Sequence, residues 1–531
     1  MFIVRILRAI SAATTLTLRY TAFLFTRHHP LGNRYITRLY ANFVVYILVT
    51  ISQLWLAQKS DKKNGSRRVL PLLLGWFDAQ HPVESALTVL VNFLCIGAVL
   101  DFLYRGQILH QSNNLSFCRI GYVDETSARL IIRSPSHDAA SSIEMSLRLA
   151  VGPGTKLTTQ IISVSRENDF VGTYTFSGLD AGKTYAYETN ASHSGVFTTS
   201  KSSPKTWSLI TSSCIKPFYP YNPLDSALRV RGLEYLDSFI ASNPVDMMLF
   251  LGDFIYIDLP IALGWTAEHY TTAYRQVYAS KSWTERLRAL PWIHAYDDHE
   301  IINDWSANET GLYQSAMRPF WNYHGNGNPV SQFGKSKTHF IFNRGDISLF
   351  VLDTRRYRTA NNAPDGPEKT MLGAAQLADL RRWLKREKRW KVVVSSVPFT
   401  RNWRGPDAAD SWSGYLHERD RILEIMKQTD GVIILSGDRH EHATTLFPAQ
   451  RNGDKPIIEF STSPLNQFYE PFDRFHRQIE DTDISIYSHP WGSAKFGSVT
   501  FNTTDKQKLI VQYRLIVDGK QVWEYDWAYE R

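Results

Sequence analysis

Cysteine is scarce, with three residues in 531, Cys95, Cys118 and Cys214. Three thiols cannot staple a framework, and an odd count leaves at least one free, paired in trans or bound to something else. Charge of one sign is also nearly lacking outside the N-terminal part. Residues 1–110 hold 12 Lys/Arg and 4 Asp/Glu, which is the whole net charge of +8, and residues 111–531 hold 47 of each sign. A basic excess confined to an apolar stretch reads as a membrane topology signal. No nucleic-acid-binding face is expected from it. With 43% hydrophobic and 21% charged residues, a mostly disordered chain, a collagen-like chain and a disulfide miniprotein are excluded. At ~100–200 residues per domain, the length predicts about three domains.

The first, residues 1–105, reads as a membrane region. Tyr40 to Ala57 is an uncharged run close to the ~20 residues of a spanning helix, with Tyr40 and Trp55 near its ends, where interfacial aromatics belong. Ala86 to Tyr104 is a second run, interrupted only by Asp101 near its end. Ala9 to Phe25 is a weaker third, with Arg19 in its middle. Between the two strong runs lie Lys59, Lys62, Lys63, Arg67 and Arg68. The positive-inside tendency places that loop in the cytosol and the rest of the chain in the lumen or exterior.

Residues 106–201 change to short alternating runs, such as SARLIIRS, GTYTFSGL and KTYAYETN. Turn residues separate them, and the spacing predicts a small β-sandwich. The stretch TYTFSGLDAGKTYAYETNASHSGVFTT resembles the end of a fibronectin type III-like domain.

In residues 202–531 apolar runs repeatedly stop at polar clusters. WSLITSS ends at Cys214, VDMMLFLG at Asp253 and Tyr256, and WIHAY at Asp297, Asp298, His299 and Glu300. ISLFVL ends at Asp353 and Arg355, and GVIILSG at Asp438 and His440. Ligands of open α/β sheets bind outside the carboxyl ends of the strands, so these residues are expected to share one edge. Gln376 to Arg386 is predicted as a helix with Leu377, Leu380 and Leu384 on one face. Leu509 to Trp527 reads as a hairpin turning at Asp518-Gly519.

Carboxylates gathered at one edge raise each other's pKa, and bound cations remove that penalty. A phenolate and a thiolate suit a trivalent or soft metal such as iron. Carboxylate oxygens suit calcium, manganese or magnesium. With few histidines, an all-zinc site is less favoured. Two metals ~3.5–4 Å apart polarise a phosphoryl group for in-line displacement.

The ordered series SSC at 212–214, GDFIY at 252–256, DDHE at 297–300, LDTRRYR at 352–358 and SGDRH at 436–440 resembles the PhoD-type alkaline phosphatases of the calcineurin-like metallophosphoesterase superfamily. The resemblance covers about residues 200–531. It implies a two-sheet β-sandwich flanked by helices, here preceded by the fibronectin-like module and the apolar helices, and a site carrying iron(III) with calcium, with manganese, magnesium or zinc as alternatives. It implies that Asp253 bridges the metals, that Cys214 and Tyr256 bind iron, and that Asp298, Asp438 and His440 complete the cluster. His299 becomes the group facing the leaving oxygen and Arg355 a phosphate clamp. Asp297, Asn303 and Asp353 are neighbouring groups that support the cluster or meet the substrate. A disulfide between Cys214 and Cys118 is the competing use of that thiol. The sequence departs from the family at its apolar N-terminal part and at Ile257-Asp258, where an acid often follows the tyrosine directly.

The expected function is hydrolysis of a phosphoester, from a small molecule or a lipid head group, by an integral membrane protein. A phospholipid-directed phosphodiesterase and an inactive membrane scaffold are the alternatives.

Overall fold

The structure is a computed structural model that describes residues 2–28, 33–57, 69–78, 81–136, 138, 140–151, 156–469 and 475–531. It forms two compact units. One comprises Met1–Gln111, Phe218–Ala227 and Asp258–Ala262, and the other Ser112–Pro217, Leu228–Ile257 and Leu263–Arg531.

The first unit is built on helices Phe2–Arg27, Asn33–Ala57, Val69–Leu74 and Pro82–Leu109. Two stretches, Tyr35–Leu56 and Pro82–Leu109, are long and apolar enough to cross a membrane, and only about a third of each is buried. Outward residues such as Leu48, Trp55, Leu90 and Leu94 are apolar, the opposite of a soluble surface helix. The weaker run around Arg19 lies inside the first helix. Its guanidinium donates to Asn92 Oδ1 and Thr88 Oγ1, both at 2.8 Å, so the cation is held by neutral partners among apolar helices. The basic loop from Lys59 to Arg68 lies outside the described residues. Into this unit fold two later segments. Phe102 packs against Phe218, Tyr219 and Tyr221, Tyr221 Oη donates to Asp101 Oδ2 at 2.9 Å, and Arg105 donates to the carbonyls of Pro223 and Asp225.

The second unit holds two sandwiches. The small one pairs a three-stranded sheet (Phe117–Val123, Ser127–Arg133, Val171–Ser177) with a four-stranded sheet, ordered Lys156–Ser165, Ala140–Leu149, Thr184–Thr189, Ser194–Thr198. Alternate residues such as Leu130, Ile132, Met145 and Leu147 fill its core. Phe117, Ile131 and Val171 join the core of the large sandwich instead, where Phe117 stacks on Tyr278 at 4.7 Å.

The large sandwich faces a six-stranded sheet to a seven-stranded one. The first runs Trp292–His294, Met247–Phe250, Thr206–Ser212, Lys495–Asn502, Lys508–Val517, Lys520–Glu530. The second runs Phe340–Arg344, Ile347–Val351, Trp390–Val394, Val432–Ser436, Ile457–Thr462, His442–Phe447, Ile484–His489. Parallel strands covered on both faces are apolar throughout, and the period of two divides them. Leu209, Leu249, Val392 and Ile433 fill the space between the sheets. Ile210 and Met248 meet helices Arg231–Ser242, Ala267–Tyr278 and Tyr313–Tyr323 on one outer side. Val393 and Ile434 meet helices Gly373–Arg386 and Leu416–Lys427 on the other. The expected hairpin is present, with Asp518 and Gly519 both at positive φ. Trp305, Tyr313, Phe320 and Tyr323, from the aromatic-rich stretch that follows the DDHE motif, are buried in the core.

Candidate metal centre

Four strands end two to four residues before the predicted ligands, and the backbone there is unusual. Cys214, Asp253, Asp438 and His440 all have φ between 57° and 76°. Non-glycine residues rarely adopt this left-handed region, and such strain concentrates at functional sites. The reversals turn the side chains inward. Gly252, at φ 106°, permits the first close approach, since a Cβ there would lie 2.7 Å from the Asp297 nitrogen. Main-chain bonds tie the turns together, from Cys214 N to Gly252 O at 3.0 Å and from Ile215 N to Asp253 O at 2.8 Å.

Asp253 is the hub. Tyr256 Oη donates to its Oδ2 at 2.9 Å, and Cys214 Sγ lies 3.4 Å from the same oxygen. The His299 main-chain nitrogen donates to Oδ1 at 3.2 Å. His440 Nε2 is 3.1 Å from Tyr256 Oη, and the His299 ring lies 4.1 Å from the Tyr256 ring. One set of donor atoms from Asp253, Asp297, Asp298 and Asp438 falls within 4.8 Å of one another, as do sets from Asp253, Asp298 and His299 and from Asp298, Asp304 and Asp410. All three cysteines are free, so the competing disulfide between Cys214 and Cys118 is not formed.

These groups are held away from their ordinary ionisation. Burial, then the neighbouring Asp298, drives the Asp253 carboxyl well up. Burial and Asp297 do the same to Asp438. Burial, then Asp253, raises both the Cys214 thiol and the Tyr256 phenol far above their usual ranges. Three buried carboxylate oxygens, Asp297 Oδ2, Asp298 Oδ1 and Asp438 Oδ2, have no hydrogen-bond partner among the described residues. Buried acceptors are normally satisfied. Orphan carboxylates beside a thiol, a phenol and an imidazole are the donor set of a cation site, and the residues fit such a group.

Arg355 departs from the expected phosphate clamp. Its side chain is fully buried and spans three carboxylates: Nε donates to Asp297, Nη1 to Asp410 Oδ1 at 2.6 Å, and Nη2 lies 3.4 Å from Asp298. Nε and Nη1 are taken up by acids, and Nη2 makes no hydrogen bond among the described residues. Asp353 also turns away from the cluster. It accepts from Tyr296 Oη at 2.9 Å and from the main-chain nitrogens of Arg355 and Arg356 at 3.0 and 2.9 Å, so it orients the arginine loop. Asn303 is exposed. Asp297 belongs to the cluster, its Oδ1 accepting from Arg355 and from Ser396 Oγ.

Two functional positions escaped sequence reasoning. Asp410 ends a short 3-10 turn, Pro406–Asp410, with no strand before it, and joins Asp298 and Asp304 while bonded to Arg355, Arg358 and Asn361. Burial opposes its ionisation, but the two arginines outweigh that and hold it below the usual carboxylate range. Glu300 is a buttress. Its carboxylate accepts from the main-chain nitrogens of Asp253, Phe254 and Asp297 at 2.6–2.8 Å, fixing two ligand turns at once. Its place in DDHE was the available signal.

A helix-flanked two-sheet sandwich with carboxylates, thiol, phenol and imidazole gathered at its strand ends is a metallophosphoesterase-type fold. A PhoD-like phosphatase family profile matches residues 234–508, more than half of the chain, and the chain belongs to that family. Alkaline phosphatase D of Bacillus subtilis (strain 168) is 26% identical over 255 residues, 38% of this chain and 42% of that protein, so the chain spans about two-fifths of the length of this relative. Among solved structures, that of PhoD superposes with a TM-score of 0.62 at 16% identity, over 79% of this chain and 90% of that one. Purple acid phosphatase PPD1 from yellow lupin (Lupinus luteus) seeds gives 0.54 at 14% identity, over 78% and 74%. At these identities the structures speak for the fold.

Proposed function

We propose that the chain is a metal-dependent phosphoester hydrolase with a multinuclear site held by Cys214, Asp253, Tyr256, Asp298, Asp438 and His440. The observation that carries this reading is the convergence of three orphan carboxylate oxygens with a thiol and a phenol on one hub, Asp253. When bound, cations at such a site supply Lewis acidity toward a phosphoryl group. A thiolate and a phenolate suit a trivalent or soft cation. That favours iron(III) on the Cys214–Tyr256–His440 side. The carboxylates of Asp297, Asp298 and Asp438 favour calcium.

The protein's own groups divide the remaining work. Asp253 presents one oxygen toward the thiol and phenol and the other toward His299. His299, its ring tilted against that of Tyr256 beside the cluster, is placed to hold a proton for the leaving oxygen. Arg355 fixes Asp297 and Asp410 in place and, with Arg358, holds Asp410 below the usual carboxylate range. Helices Tyr35–Leu56 and Pro82–Leu109 span a membrane in this reading, with the catalytic domain lumenal or extracellular.

The test is metal analysis of the purified full chain, with turnover of a soluble monoester and a soluble diester. Iron near one per chain with calcium, and loss of turnover in Asp253→Asn and Asp438→Asn, are expected. Unchanged turnover in both variants would sink the hydrolase reading.

A second reading, a phosphodiesterase for lipid head groups, has one observation in its favour. Four residues after Cys214 the chain enters Phe218–Ala227, part of the compact unit built on the apolar helices, where Leu224 is 93% exposed. Phospholipid vesicles cleaved faster than the soluble diester would support it, and indifference to vesicles would dismiss it.

A further inference from the structure

The aromatic-rich stretch after the DDHE motif takes no part in the metal centre, yet it borders two cavities. One, of about 250 Å³, is lined by Arg129, Trp321, Lys335 and Lys337 among others. The other, of about 670 Å³, is lined by Trp321, Arg318 and Arg356 among others. Trp321 is shared by both, and no aspartate or glutamate lines either. In a region whose charges balance at 47 of each sign, five cations around one indole are a local segregation of charge.

The cations are held in place mostly by neutral groups. Arg129 Nη1 donates to the Asn326 carbonyl at 2.9 Å and Arg318 to the Glu167 carbonyl. Lys337 Nζ donates to Tyr357 Oη at 3.4 Å and sits 5.2 Å from that ring. Lys335 is exposed. Of the five, Arg356 alone forms an ion pair among the described residues, with Glu309. The indole is equally fixed, since it lies against Gly325, where a Cβ would fall 2.3 Å from the ring. Positive groups so ordered keep their charge available to a ligand and lose little freedom on binding.

We propose that this groove binds a saccharide carrying sulfate or phosphate groups. Trp321 is the platform for a sugar face, and the lysines and arginines receive the anions. A single accessible ring favours a saccharide over a nucleic acid, which uses a succession of aromatic platforms. The neighbouring rings of Tyr313 and Phe320 are buried.

The test is calorimetric titration of the full chain with a heparin-derived tetrasaccharide, which carries sulfate esters. Neutral maltotetraose and an eight-residue oligothymidylate are the comparison ligands. The tetrasaccharide is expected to bind, more weakly at higher salt, and maltotetraose to bind far less. Joint Lys335→Ala and Lys337→Ala substitution, with the fold checked by circular dichroism, should weaken binding about tenfold. Trp321→Ala should weaken it about three- to tenfold, with Trp321→Phe recovering most of the loss. Tetrasaccharide affinity unchanged in the lysine double variant and in Trp321→Ala would overturn the proposal. Equal binding of maltotetraose would overturn the role of charge, and tighter binding of the oligonucleotide would overturn the choice of a saccharide. No turnover is read, so failure here leaves the hydrolase reading untouched.

Discussion

The two sandwiches of the second unit share a construction principle and differ in what their strand ends carry. Both stack two sheets over an alternating apolar core, and both bury a free cysteine. Cys118 lies within the strand Phe117–Val123, and burial alone is the main reason its thiol is pushed up to about 12. Cys214 lies past the end of its strand, left-handed, 3.4 Å from a carboxylate. In the small sandwich Arg133 meets both oxygens of Asp169 at 2.9 Å. The large one leaves four buried carboxylate oxygens without hydrogen-bond partners among the described residues, three of them in the ligand cluster. Burial therefore does not distinguish a ligand from a filler. Backbone reversal together with unsatisfied charge does.

The comparison is most directly broken by removing the buried arginine from each sandwich. Arg355→Met should lose about 3–5 kcal/mol in urea unfolding, the cost of breaking a buried charge network, and Arg133→Met less, because Asp169 keeps Arg275 and Tyr323. Added calcium should return part of the loss only in Arg355→Met, because only there do the stranded acids belong to a cation site. Equal calcium response in both would erase the distinction. Next in size, Glu300→Gln should lower metal affinity by about 10–100-fold, the range for groups that orient ligands, while the chain stays folded. Isothermal titration with calcium checks this.

A third test uses Glu459, a buried carboxyl of the large sandwich outside the ligand cluster. It accepts from Ser436 Oγ and from the nitrogens of Phe399 and Thr400. Burial raises it from the ordinary 4.5 to about 7. The folded protein then holds this proton more tightly than the unfolded chain, so the associated stability is present below pH ~4.5 and is lost as pH rises through ~7. The urea midpoint of the native chain, taken relative to Glu459→Gln, should fall between pH 5 and pH 8. A constant difference would show that Glu459 is already ionised at pH 5. The smallest effect is expected from Cys118→Ala, about 1 kcal/mol of stability with metal content unchanged. Cys214→Ala should lose iron. If both variants kept their metal, the thiol would have no part in the site.

The strand-end ligands were legible in the sequence because the rule that exposes them is local. An apolar run stops, and the next polar residue faces the sheet edge. Cys214, Asp253 and Asp438 follow that rule, and the Asp518-Gly519 hairpin follows an equally local one. Asp410 does not, since nothing before it marks a strand and only its two arginines, more than fifty positions earlier, explain it. The assignment of Arg355 to phosphate rests on the family resemblance and on guanidinium chemistry. That chemistry suits a carboxylate as well, and three carboxylates reach the side chain first. The stranding of charge at Asp297, Asp298 and Asp438 depends on distances across the sheet edge, which no spacing along the chain encodes.

The strand order of the six-stranded sheet also sets a timetable for synthesis. Strand Thr206–Ser212, which delivers Cys214, has Met247–Phe250 on one side and Lys495–Asn502 on the other. Cys214 leaves the ribosome 226 residues ahead of His440, which at ~5–20 residues per second is roughly 10–45 s. The strand that flanks it arrives later still. Through that interval a thiol destined for the interior is carried by a nascent chain whose central sheet is missing a neighbour, so the sheet around the site is completed only once that late strand has been made.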